Sequence, residues 1–278
     1  MSYFKTSSIE NRENIKLYYE DYGTGDPVIL IHGWPLSAQM WEYQTQVLVE
    51  AGHRVISYDR RGFGRSDKPW SGYDYDTLAK DLNDLITGLD LENVTIVGFS
   101  MGGGEVSRYI GNYGTSKLKK AALVSSVAAF MLKTDDNPDG VPQETFDGFK
   151  AAIRKDRLAF LKDFGNNFVN YDDNKDKISE AQVHFNWSIA AGASPKGTLD
   201  CITSFGTTDF RADLEKFDIP TLIIHGDADQ VVPIKPSGEQ AASIVKGSRY
   251  EVIKGAPHGL VFTHTEEVNK ILIDFLKD

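Results

Sequence analysis

Val94-Thr95-Ile96-Val97-Gly98-Phe99-Ser100-Met101-Gly102-Gly103 decides the fold. Val94 to Val97 carry no charge and no turn-former, which predicts a short strand covered on both faces. The glycines behind Ser100 open a helical stretch that runs to Tyr113. In a strand, sharp corner and helix of this kind, Gly98 and Gly102 let two backbones pass closely and hold the serine hydroxyl up at the helix start. G-x-S-x-G alone also fits an ordinary glycine-rich turn. The strand before it and the helix behind it point to Ser100 as a nucleophile.

Working outward, the same alternation repeats. Asn14 to Tyr19 alternates and reads as a half-buried edge strand. Val28-Ile29-Leu30-Ile31, Val55-Ile56-Ser57-Tyr58, Ala121 to Val124, Thr221 to Ile224 and Tyr250 to Ile253 read as further strands. Helical periodicity fills Ala38 to Glu50, Tyr75 to Leu89, Lys235 to Val245 and Glu266 to Leu276. Strands alternating with helices predict a mostly parallel, doubly wound sheet, with catalytic groups in loops at the carboxyl ends of its strands. Residues 128–213 break the alternation and show only helical patterns, such as Phe146-Phe149-Ile153 and Leu158-Phe160-Leu161-Phe164. The expected division is a core of 1–127 and 214–278 with an inserted helical cap of 128–213. A separate subdomain is disfavoured because the sheet needs the strands that resume at Thr221.

The strand ends carry the chemistry. Ile31-His32-Gly33-Trp34-Pro35 suggests the Trp34 N–H as one oxyanion donor, with the Met101 N–H as the other. His32, beside the glycine, reads as a buried histidine tying the loop together. In Ile224-His225-Gly226-Asp227-Ala228-Asp229, Asp229 is the choice for an acid that holds an imidazole, and Asp227 for a turn-shaping acid. Of the histidines 32, 53, 184, 225, 258 and 264, His258 in Gly255-Ala256-Pro257-His258-Gly259 alone sits in a loop after the last predicted strand. His264 is its nearest rival, in the approach to the final helix. The order Ser100, Asp229, His258 suits a triad on this architecture. Asp59-Arg60-Arg61-Gly62-Phe63-Gly64-Arg65-Ser66 lacks the Lys-Ser/Thr ending of a phosphate loop, so its arginines are expected to pair with acids. Phe130, Phe146, Phe160 and Phe164 are candidates to line an acyl pocket, although the same spacing describes plain core. Phe99 reads as structural.

The 278 residues bear a net charge of −10, which argues against nucleic acid and anionic membrane as partners. No apolar run reaches the ~18 residues of a membrane span. The start, Met1 to Thr6, shows no basic-then-apolar leader, so a cytoplasmic location is expected. Cys201, the only cysteine, lies in an apolar setting and reads as a packed thiol. No acid or histidine cluster has metal-ligand spacing and no G-x-G-x-x-G follows a strand, so neither a metal nor an organic cofactor is expected.

From Val28 onward the chain resembles the cofactor-free bacterial haloperoxidases, also called perhydrolases, and the similar arylesterases. The resemblance is carried by His32-Gly33-Trp34-Pro35, Asp59 to Ser66, Gly98-Phe99-Ser100-Met101-Gly102-Gly103-Gly104 and Ala256-Pro257-His258-Gly259. It implies an α/β-hydrolase fold with an eight-stranded sheet, a triad of Ser100, Asp229 and His258, and oxyanion donors at Trp34 and Met101. It also implies hydrolysis of small esters and sometimes lactones, and peracid formation from a carboxylic acid and hydrogen peroxide, with metal-free halide oxidation. Pro35, which restricts the residue before it, is expected to fix the Trp34 carbonyl near the acyl pocket, where it could accept from a peroxide O–H. A homo-oligomer fits the resemblance. Dehalogenases and epoxide hydrolases need an acid where Ser100 stands. A lactonase or a carbon–carbon bond hydrolase remains open and, from another class, so does a ligand receptor that keeps a triad but turns over slowly.

Overall fold

The computed structural model describes residues 2–7 and 14–277. Among these residues, eight strands form one sheet in the order β1-β2-β4-β3-β5-β6-β7-β8. They are β1 (Ser2–Lys5), β2 (Lys16–Tyr22), β3 (Pro27–Ile31), β4 (Arg54–Tyr58), β5 (Val94–Phe99), β6 (Leu118–Val124), β7 (Thr221–Gly226) and β8 (Arg249–Ile253). The β1–β2 and β2–β4 pairs are antiparallel and the rest are parallel. Every residue of β5 and β7 is buried, as uninterrupted apolar strands in the middle of a two-faced sheet must be.

The sheet departs from expectation at one edge. The strand read from Asn14 to Tyr19 is not the edge: it begins at Lys16, and β1 lies outside it, with Phe4 opposite Leu17. β1 has four residues and no buried one, so it carries no periodic signal.

The helices are α1 (Glu42–Glu50), α2 (Tyr75–Gly88), α3 (Met101–Tyr113), α4 (Gln143–Phe168), α5 (Glu180–Ala191), α6 (Pro195–Thr207), α7 (Arg211–Leu214), α8 (Gln240–Ile244), α9 (Leu260–Thr263) and α10 (Thr265–Lys277). α2 packs on α3 and α3 on α7, while α1 packs on α9 and α10, the two helix groups of a doubly wound fold. α5 and α6 both pack on α4, and the three lie between β6 and β7 in the chain. α4 is two helices joined at Asp156, whose φ of −157° and ψ of 95° are not helical. The Asp156 carboxylate accepts the Ala159 N–H at 3.0 Å and so starts the second half.

The chain winds from β3 to β4 on one side and then returns to place β5 on the other side of β3. That reversal opens a crevice beyond the carboxyl ends of β3 and β5, where this class of sheet places its ligands. No helix among the described residues is long and apolar enough to cross a membrane.

Candidate active site

Ser100 follows β5 with φ 54° and ψ −119°, a left-handed backbone that non-glycine residues rarely adopt. The glycines around it make the corner possible. A Cβ on Gly98 would come within 2.4 Å of the Gly102 carbonyl oxygen, and one on Gly102 within 2.3 Å of the Ile31 oxygen. The helix start is thus pressed against both β5 and the end of β3.

His258 and Asp229 reach the serine from the last two strands. His258 Nε2 lies 2.9 Å from Ser100 Oγ, and its Nδ1 lies 2.7 Å from Asp229 Oδ2. All three side chains are buried. Asp229 Oδ1 accepts the Val231 and Val232 N–H groups at 2.9 and 2.8 Å. Burial alone would push its carboxyl up, but His258 and His225 beside it outweigh burial and hold it well below the usual carboxylate range. An acid kept ionised at Nδ1 places the imidazole proton on Nδ1 and leaves Nε2 as acceptor for the serine hydroxyl. The His258 ring is clamped between Phe99 and Phe168, at centroid distances of 5.1 and 4.7 Å.

The loop after β3 lies against this corner: a Cβ on Gly33 would sit 3.0 Å from Ser100 Cβ. Trp34 next to it donates its indole N–H to the Thr198 carbonyl of α6 at 3.0 Å and packs on Phe164 and Phe205. Met101, the first residue of α3, has an N–H that the helix itself cannot satisfy. His32 is fully buried; its Nε2 accepts the Arg60 N–H and its Nδ1 lies 2.9 Å from the Gly33 oxygen. Burial and then the Arg60 charge hold this ring well below the usual imidazole range, so it stays neutral and ties the loop.

The arginines of the next loop pair with acids. Arg60 joins Glu105 at 2.8 Å with both side chains buried, Arg61 holds Asp81 at 2.6 Å, and Arg65 lies 3.5 Å from Glu20. Asp227 is exposed and takes the Gly255 N–H at 2.6 Å, linking the loops after β7 and β8. His264 lies between Thr263 and Lys177. Cys201 is buried, and burial pushes its thiol up to about 12.

Ser100 and His258 open into a cavity of about 270 Å³. Its walls are mainly Trp34, Met131, Phe146, Phe149, Phe164 and Phe205. Thr145 and Gln230 supply the other polar side chains, and among the described residues no Lys, Arg, Asp or Glu lines it. Of the aromatic candidates, Phe146 and Phe164 face the cavity, while Phe130 and Phe160 do not. Phe130 sits under the Arg211 guanidinium, and Phe160 stacks behind Phe164. Helical spacing tells that a residue is inward, not which of two inward directions it takes. Phe149 and Phe205 were not expected there, and neither was His225 beside Asp229; its only sequence signal is its place four residues before the acid. No group of three or more His, Cys, Asp or Glu among the described residues could hold a metal.

A strand-corner-helix serine facing a buried histidine–acid pair at the crevice of such a sheet is the arrangement of a serine hydrolase. The family model for the alpha/beta hydrolase fold matches residues 26–265, and the chain belongs to that family. A solved bromoperoxidase from Bacillus anthracis is 54% identical and superposes with a TM-score of 0.95 over 100% of both chains. A non-heme chloroperoxidase of Kitasatospora aureofaciens is 44% identical over 95% of this chain and 97% of its own. A bifunctional esterase/perhydrolase of Acinetobacter calcoaceticus is 38% identical over 97% and 99%. Within the family the chain falls in the cofactor-free bacterial haloperoxidase and esterase group.

Proposed function

We propose that this chain cleaves small, uncharged carboxylic esters through an acyl-Ser100 intermediate, and that peroxide can replace water in the second step. The observation that carries the reading is the continuous line from Asp229 Oδ2 through His258 to Ser100 Oγ, at 2.7 and 2.9 Å, opening on an apolar cavity. His258 takes the Ser100 proton as Oγ attacks the ester carbonyl, and the developing oxyanion rests on the Trp34 and Met101 N–H groups. His258 then protonates the leaving alcohol. Water attacks the acyl-serine to release the acid, or hydrogen peroxide attacks it to release a peracid. Residues 128–213 act as the cap that supplies the acyl-binding wall. Peroxide use draws on the name of the Acinetobacter relative, and on Pro35 fixing the Trp34 carbonyl near the acyl group.

The test is a side-by-side assay of p-nitrophenyl acetate, a small lactone, and acetate plus hydrogen peroxide. Ester turnover should be sustained after any burst; a single acylation with no further release would mark a receptor instead. Ser100→Ala should lose about 10⁶ in kcat, the scale on which triad members act as a unit, and wild-type-like hydrolysis by it would refute the assignment. Pro35→Leu should change the ratio of perhydrolysis to hydrolysis, and an unchanged ratio would remove proline from the account.

A further inference from the structure

The acid of the serine–histidine line is gripped from behind as well as in front. His225, the fifth residue of β7, is fully buried. Its Nε2 lies 2.9 Å from the Val232 carbonyl oxygen and 3.3 Å from Asp229 Oδ2. Both neighbours only accept, so the ring proton sits on Nε2. Nδ1 has no hydrogen-bond partner among the described residues, and Gly238 closes over it: a Cβ there would come within 2.7 Å. Turning the ring over would put the Cε1 carbon where the Nε2–H stands and leave both oxygens without that donor, so its orientation is set.

Val232 completes a closed circuit. Its carbonyl receives the His225 N–H, and its own N–H donates to Asp229 Oδ1. The other carboxylate oxygen, Oδ2, then faces His225 on one side and His258 Nδ1 on the other. We propose that His225 is a positioning residue for acyl transfer: its Nε2–H fixes the plane of the Asp229 carboxylate and thereby the ring of His258. An apolar side chain would fill the same space without the cost of burying an imidazole. What the imidazole adds is one N–H placed between the loop carbonyl and the triad acid. The inference rests on the acyl-transfer reading above, since it assigns His225 a role through Asp229 and His258.

The test compares His225→Leu with His225→Gln, whose amide N–H can stand where Nε2 stands. Ester kcat and KM, the Tm, and the low-field proton resonance of the His258–Asp229 hydrogen bond are followed together. Leucine should lower kcat roughly 10- to 100-fold, the size of one hydrogen bond to a charged group, with KM nearly unchanged and the resonance displaced. Glutamine should recover most of kcat and restore the resonance. If the leucine variant does not fold, His225→Asn replaces it, because its shorter amide stops short of both oxygens. Wild-type kcat in the leucine or asparagine variant would overturn the proposal. So would equal losses in both variants that follow the fall in Tm with the resonance unmoved. A wild-type protein inactive on every ester would instead count against acyl transfer, and the resonance would still report whether His225 holds the acid.

Discussion

Asp229 sits where burial and charge oppose each other, and charge prevails. Its folded-state pKa lies below the unfolded value of about 3.9. The stability it contributes is therefore full above that value and is lost as pH falls through the folded pKa, because the unfolded chain takes up the proton first. Asp229→Asn removes this titration. The stability advantage of the wild type over that variant, from urea unfolding, should be larger near pH ~5 than near pH ~3. A gap that held or widened toward pH ~3 would mean that the carboxylate is not depressed.

The central strands were legible from short apolar stretches and the helices from their periodicity; β1 was not, because it buries nothing. The serine corner and the loops after β7 and β8 were legible too, since glycine and the acid–histidine order mark them. What could not be read was any partner far away in sequence. Arg60 finds Glu105, 45 residues on, and Arg61 finds Asp81, 20 residues on. The loop announced that its arginines needed acids, but not which acids. The kink at Asp156 was hidden for a related reason: two helical patterns abut there, and the non-helical Asp156 backbone with its carboxylate cap on Ala159 separates them. The Arg61–Asp81 pair, with both side chains 4% exposed, tests how the loop is held to α2. Arg61→Leu alone strands a buried carboxylate and should cost about 3–5 kcal/mol. Arg61→Leu with Asp81→Leu should recover most of that loss in urea unfolding. Equal destabilisation in the single and double variants would show that the pair is needed for its geometry and not merely for charge balance.

At the scale of the whole molecule, charge and cavity act in the same direction. The chain carries −10, so its long-range field repels anions. Among the described residues the cavity at Ser100 offers no Lys or Arg to receive one: its polar side chains are Ser100, His258, Thr145 and Gln230, set among aromatic rings. An acyl chain ending in a carboxylate would have to leave water without a partner, at a penalty of several kcal/mol. p-Nitrophenyl butyrate and p-nitrophenyl hydrogen succinate have acyl chains of nearly equal length and differ in that terminal charge. The enzyme should therefore favour the butyrate in kcat/KM by at least about 10²-fold. Added salt should narrow the difference only slightly, because screening reaches the surface field and not the buried cost. Thr145→Arg should raise activity on the succinate ester while lowering it on the butyrate. Equal use of both esters by the wild type would place the acyl chain outside the aromatic cavity, in solvent, and would leave the Phe146–Phe164 wall without a part in substrate choice.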